Sequence, residues 1–482
     1  MDKAKKELNI LALVNVGTAV QMMKTIKADK YIFITTKKVS PSQCPKGYTI
    51  GKNVFCYSHR SLKRGRYFPK MDWQKVQPLD GSIVEKMLPY ESTTLKMVER
   101  IPPVKVNYDT RKNYYMNNLR YWMHVIKAHN INVFYRCAPP HEGYDMVIYG
   151  LCRVLNIPIW LFGPFHPGMA YLSRTIENPF PDFNKKVIAN NVKFIDYLNG
   201  ELQQGPKLIP QLKELIDNHW NKKRPAKIPV VVPAKKRRTQ KTLLARHKGI
   251  LLWYKNHCVK PQLEKEYIYV PLHFQFEATT CPLGGVFNDQ LLMIELLARI
   301  GITIYVKEHP RMSKNRSLAF YKRIYNLKYV NLISQKTDNY KMIDNCLCVA
   351  NVTGSAGWEA ILRGKQTLLF GNIFHQYAPS CYQVKDLIEI KEAIEKIKIF
   401  KPEKRLLEVF LFNLQEYLFM HNIRDITAAF KSELEKNAKI IENEEFEKNI
   451  YSPMKSSYDE STGIFTDENL EKIDEVEENE ND

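Results

Sequence analysis

Residues 267–280, YIYVPLHFQFEATT, decide the reading of this chain, because an apolar, β-favouring run breaks there into a polar loop. The same change recurs downstream. ITIYV (302–306) passes into Lys307-Glu308-His309-Pro310-Arg311, and CVANV (348–352) into Thr353-Gly354-Ser355-Ala356-Gly357-Trp358-Glu359. QTLLF (366–370) is followed by Asn372 and His375, and YVNLI (329–333) is a further strand-like run. Between several of these lie helical segments. Residues 289–300 carry apolar side chains at helical spacing and end at Gly301, and residues 355–363 end at Gly364, as cap glycines close helices. The alternation predicts a doubly wound α/β domain, in which ligands bind beyond the carboxyl ends of parallel strands. Four polar loops fall at those ends.

The same pattern, less regular, runs through the first part of the chain. NILALV (9–14) and YIFIT (31–35) read as strands, and Gly17-Thr18 opens a helix-like segment. After an irregular stretch come a helix over 109–130, the strand INVFYR (131–136), a helix over 144–156 and the strand IPIWLF (157–162). The loop between 136 and 144 holds Pro139, Pro140, His141 and Glu142, and His166-Pro167-Gly168 follows the last strand. A long helical region is expected over 403–439.

These readings predict a Rossmann-like domain over 1–200, a connection over 201–265, a second Rossmann-like domain with closing helices over 266–440, and an acidic, disordered tail over 441–482. At 482 residues the chain is too long for one ordinary core. The formal charge of +21 hides an asymmetry: residues 441–482 hold 15 acids and 3 bases, leaving +33 on the first 440 residues. Such a body favours anionic partners, whether nucleic acid, acidic lipid headgroups or phosphorylated substrates. Residues 221–248 contain eleven Lys and Arg, no acid, and prolines at 225, 229 and 233, which reads as an extended, solvated linker. Aromatics are not interleaved with these charges as a nucleic-acid stacking surface requires, so no specific nucleic-acid partner is expected.

No run of eighteen apolar residues occurs, and the charged start MDKAKKELNI lacks a signal core, which predicts a cytoplasmic protein, peripheral at the membrane face. Nine scattered cysteines argue against a disulfide framework and against a structural zinc site. There is no Asp-x-Asp, no GxGxxG after the first strand and no P-loop.

Each loop suits a phosphorylated sugar ligand. Thr353, Gly354 and Ser355 lie where a strand turns into a helix, a place for a phosphate or simply for a helix cap. Glu359, one turn beyond Ser355, shares its face and could accept from ribose hydroxyls. His309, kept out of helical geometry by Pro310, could donate to phosphate or assist the leaving group. Gln275, Glu277, Thr279 and Thr280 offer the donors and acceptors that a sugar or base requires. Lys307 and Arg311 could neutralise phosphate. In the first block, His141 or Glu142 could take a proton from an acceptor hydroxyl, or could belong to a turn built by the neighbouring prolines.

VPLHFQFEATTCPLGG, VKEHPR and NVTGSAGWEAILRGKQTLLFG together resemble the capsule polysaccharide biosynthesis family, which is similar to capsule Kdo transferases. The resemblance covers about residues 267–371, with an echo in PPHEGYD, and Phe276 stands where close relatives would have proline. It implies the GT-B architecture, two Rossmann-like domains facing across a cleft. It also implies transfer of a sugar from a nucleotide donor, CMP-linked and acidic, to a glycan or glycolipid, with no bound metal and no cofactor. The positions that match the family's donor site are Gln275, Glu277, His309, Pro310, Ser355 and Glu359. Two other functions remain compatible with the sequence: polyol-phosphate transfer from a CDP-alcohol, and nucleic-acid binding on a degenerate α/β scaffold.

Overall fold

The structure, a computed structural model, describes residues 7–66, 72–99, 107–166, 168–222, 241–275, 277–310, 312 and 316–437, with 241–247 as backbone only. The chain divides into two compact units, Met1–Ile176 together with the segment from Leu418, and Glu177–Tyr417.

The first unit contains β1 (Asn9–Leu13), β2 (Lys30–Thr35), β3 (Val54–Ser58), β4 (Val133–Arg136), β5 (Ile159–Phe165) and β6 (Met169–Ser173). Strands β3-β2-β1-β4-β5 lie side by side in parallel, and β6 turns back antiparallel to β5. The second unit contains β7 (Tyr267–Pro271), β8 (Thr303–Lys307), β9 (Val330–Ile333), β10 (Cys348–Asn351), β11 (Gln366–Leu369) and β12 (Cys381–Gln383). Its sheet is parallel throughout, in the order β12-β11-β10-β7-β8-β9. Both orders are those of a Rossmann-like sheet, with the reversal between β1 and β4 in one unit and between β7 and β10 in the other. The fold class read from the sequence holds: two Rossmann-like α/β units in one chain, as GT-B proteins have.

The apolar runs become strands because both faces of a parallel sheet are covered. In the second unit Ile268, Val270, Ile304, Val306, Leu332 and Ala350 enter one core cluster. The alternate residues Tyr267, Tyr269, Tyr305 and Val349 enter the other, against Met342, Ile343 and Ala360. A period of two thus feeds two cores from one sheet. The expected helix of 289–300 is Gln290–Leu297, capped by the Asp289 carboxylate.

The structure differs from the expectation in four places. The region 403–439 is two helices, Lys404–Gln415 and Ile423–Lys436, separated by a short strand, β13 (Phe419–Met420). That strand pairs antiparallel with β6, which takes the backbone out of helical geometry before Asn422 caps the next helix. Much of the expected linker is also helical: Pro210–Trp220 buries Leu212 and Ile216, and Lys241–Asn256 follows. Residues 223–240 lie outside those described, as does the tail from 438. The boundary expected at 200 moves to 176, and Ile423–Lys436 belongs to the first unit. The stretch left irregular between 35 and 109 contains β3 and a helix Gly81–Val98 with Pro89 inside it. Among the described residues no helix is long and apolar enough to cross a membrane.

Candidate functional site

Strands β10, β7 and β8 are neighbours in the sheet and parallel, so the loops that follow them leave the same edge. His273 lies at the centre of this rim and is buried. Its Nε2 accepts from the amide of Val352, beyond β10, at 3.2 Å. Burial, together with the charges of Arg316 and His309, pushes its pKa down to about 3, so the ring is a neutral acceptor. The ring also lies close to Gly354, where a Cβ would stand 3.0 Å from the imidazole Cε1 and press on it.

The β7 loop is held by its own polar groups. Gln275 Nε2 donates to the Asn288 carbonyl at 2.7 Å and its Oε1 accepts from Gln290 Nε2 at 2.8 Å. Gln290 in turn accepts from the His273 amide at 2.7 Å. The buried Thr280 hydroxyl donates to the Phe274 carbonyl at 3.0 Å, and the buried Thr353 hydroxyl donates to the Thr279 carbonyl. Gln275, Thr280 and Thr353, expected on the ligand side, are therefore occupied in ordering the loops. Glu277 is exposed and Thr279 is half-buried, its hydroxyl 3.5 Å from the Glu277 carboxylate.

At the end of β8, Lys307 is buried, donating to the Thr337 carbonyl at 2.6 Å and to Asn339 Oδ1 at 2.5 Å. Its ammonium, expected on a phosphate, is here bonded to that turn. Burial pushes its pKa down against the pull of Asp338 and Glu359. Glu308 is fully buried, and its carboxylate accepts from Arg316, Tyr321 and the His309 amide. His309 is half-buried, its ring 5.6 Å from that of Phe274, and Pro310 is exposed. Arg311 lies outside the described residues.

Beyond β10, the helix Ser355–Leu362 starts at Gly354, which has no side chain with which to cap it. The positive end of its dipole lies at the rim, which suits an anion. Asn351 donates from Nδ2 to the Gly354 carbonyl at 2.8 Å, and Gly357 is needed beside it, since a Cβ there would lie 2.5 Å from that nitrogen. Ser355 is exposed. Glu359 is half-buried; burial pushes its pKa up to about 6, opposed by a hydrogen bond from Ser355 and by Arg363 and Lys307. His375, read as a rim residue, is instead fully buried and lies flat against Trp358. Asn372 holds Gln383, accepting from its Nε2 at 2.8 Å.

In the first unit the loop after β4 is built on a buried ion pair, Arg136 to Asp145 at 2.5 Å. Arg136 also donates to the carbonyls of Ala138 and Pro139, and Asp145 accepts from the amides of His141 and Glu142. Although burial pushes the Asp145 carboxyl up, Arg136, His141 and the two amides hold it below the ordinary value. This frame presents His141 and Glu142 side by side, Nε2 to Oε1 3.4 Å. Two residues missed by the sequence reading join them. Lys63 contacts Glu142 at 2.5 Å, and His59 lies 4.0 Å from it while bonding the Tyr144 hydroxyl at 2.7 Å. Both come from the short helix His59–Arg64 after β3. His166 sits in the tight turn between β5 and β6, and Pro167 lies outside the described residues.

No protein-family model matches the sequence, and no curated protein matches it. Solved structures do. The chain is similar to KpsC β-Kdo 2,7-transferase from Thermosulfurimonas dismutans, with 12% identity, 65% of this chain and 89% of that chain covered, and a TM-score of 0.31. It is similar also to a glycosyltransferase from Rickettsia africae (9% identity, 91% and 100% covered, TM-score 0.29). A third likeness is to UDP-GlcNAc 2-epimerase from Methanocaldococcus jannaschii (9%, 85% and 100%, TM-score 0.27). The fold class itself stands on the two sheets described above.

Proposed function

We propose that this chain is a glycosyltransferase of capsule-type polysaccharide biosynthesis. It transfers a sugar from a nucleotide-activated donor, CMP-linked and acidic, to a glycan or glycolipid acceptor, without a bound metal. The observation that carries the reading is the convergence of three loops, from β7, β8 and β10, on one edge beside the helix start at Gly354. In this reading the helix start and the Ser355 hydroxyl take the donor phosphate. Glu359 accepts from ribose hydroxyls, and Glu277 and Thr279 meet the sugar. His309 donates to the phosphate or protonates it as it leaves, and Arg311 adds positive charge. Gln275, Thr280, Thr353, Lys307 and Pro310 shape the loops.

The acceptor hydroxyl oxygen attacks the anomeric carbon as the bond from that carbon to the phosphate oxygen breaks. The hydroxyl proton passes to Glu142 or His141, and the nucleotide departs with the electron pair. Lys63 keeps the Glu142 carboxylate in place, 2.5 Å away. The basic body, +33 before the acidic tail, suits an anionic donor and an anionic membrane surface.

The test is nucleotide release from a panel of CMP- and UDP-sugars with glycan acceptors. Release from one donor class is expected, falling about 100-fold in His309→Ala, the scale of a lost acid–base group. The reading is overturned if no donor is consumed, or if His309→Ala turns over like the native chain.

A further inference from the structure

We infer that Arg316 is the positioning residue of the second unit's rim, setting all three ligand loops from a buried place behind them. The inference rests on the reading of that rim as a donor site. Arg316 stands at the far end of the β8 loop, just before the Ser317 cap of the helix Leu318–Tyr325, and belongs to no motif read from the sequence. Its side chain is buried, with the guanidinium 4.4 Å from the centre of the Phe320 ring.

Its bonds run to two partners, Glu308 and His273, and each passes the connection on. Nε donates to Glu308 Oε2 at 2.5 Å, and the other oxygen of Glu308 accepts from the His309 amide at 2.6 Å. A terminal nitrogen of Arg316 donates to the His273 carbonyl at 3.1 Å. His273 carries the connection on, since its ring accepts from the Val352 amide where the β10 loop begins. One guanidinium is thus bonded, directly or through one side chain, to the β8, β7 and β10 loops. Glu308 is steadied in turn by the Tyr321 hydroxyl at 2.9 Å, and its own amide donates to the Tyr254 hydroxyl at 3.1 Å.

The consequence for His309 is specific. Glu308 holds its N–H, and Pro310 restricts its backbone from the other side. The imidazole is therefore aimed by a backbone fixed at both ends. A planar guanidinium serves a carboxylate and a carbonyl from fixed directions, which the point charge of a lysine does not reproduce. Charge alone will not substitute for Arg316.

Two measurements on the full chain test this. The first needs no substrate: amide exchange at His309 and Val352 in Arg316→Lys against the native protein. Both amides are expected to exchange faster together; no change, or a change at His309 alone, overturns the linkage. The second is nucleotide release in Arg316→Lys and Glu308→Gln, each alone and combined with His309→Ala. About tenfold loss of kcat is expected in the native background and less than about threefold beside His309→Ala, because a positioning effect acts through the residue it positions. Equal losses in both backgrounds would mean a structural role only, and sink the proposal. Should Arg316→Lys fail to fold, Glu308→Gln, which keeps the size of the side chain, decides by the same readouts. If the exchange result appears while no donor is ever consumed, the donor reading fails and the linkage survives.

Discussion

In the first unit Arg136, the last residue of β4, pairs with Asp145 one loop later, and their other bonds, to Ala138, Pro139, His141 and Glu142, stay within that loop. In the second unit Glu308 and Arg316 pair over a similar separation, but their bonds leave the loop for His273, Tyr321 and Tyr254. The ion pair of the first rim closes on its own loop, and the tie to a neighbouring element runs through Glu142, to Lys63. The second rim is cross-linked between strands. The pairs also differ in what a broken partnership leaves behind: Arg136 cannot shed its proton, whereas Glu308 can take one up.

The largest effect should come from breaking the closed loop. Asp145→Ala strands a buried guanidinium and should cost about 3–5 kcal/mol in denaturant unfolding, with little change between pH 5 and 8. Arg316→Met strands a carboxylate instead. Burial already pushes the Glu308 pKa up despite Arg316, and a raised carboxylate loses stability as pH rises through its folded value. That variant should therefore recover stability in acid. Identical pH profiles for the two variants would remove the distinction between the rims.

Glu359 sharpens the comparison from the ligand side. Its pKa rises from the ordinary 4.5 to about 6, burial outweighing Ser355, Arg363 and Lys307. Its contribution to stability is full below pH 4.5 and is lost as pH climbs through about 6, a change of about 2 kcal/mol. Native chain and Glu359→Gln should differ by this step in melting curves across that window; parallel curves would show that the carboxyl is not held in a desolvated place. The smallest effect is expected of Thr353→Val, which removes one loop-to-loop hydrogen bond and should cost about 1 kcal/mol. A cost several times larger would mean that this single bond, rather than Arg316, ties the β7 and β10 loops.

What the sequence made legible was local. Apolar runs such as YIYV and the glycines that end helices, Gly301 and Gly364, both at positive φ, announce their elements without reference to distant residues. The strand ends of β7, β8 and β10 followed from that, and with them the loops of the candidate site. Partnership was not legible. That Gln275 spends its amide on Asn288 and Gln290, or that Arg316 reaches His273, depends on how the chain returns in space. His59 and Lys63 were missed for a related reason: the helix that carries them, His59–Arg64, has only six residues, too little periodicity to register. The break at β13 did leave a sign, the Asn422 cap with Asp425 three residues on, which the run of apolar residues before it obscured.

The path of the chain through the two units has a bearing on how the molecule is made. Phe430, on the helix Ile423–Lys436, is fully buried against Tyr135 and Trp160, and Leu434 enters the same core. A ribosome releases β1 to β6 early, yet must deliver the whole of the second unit before the residues that seal the first one emerge. The first sheet to be synthesised is thus the last to be finished.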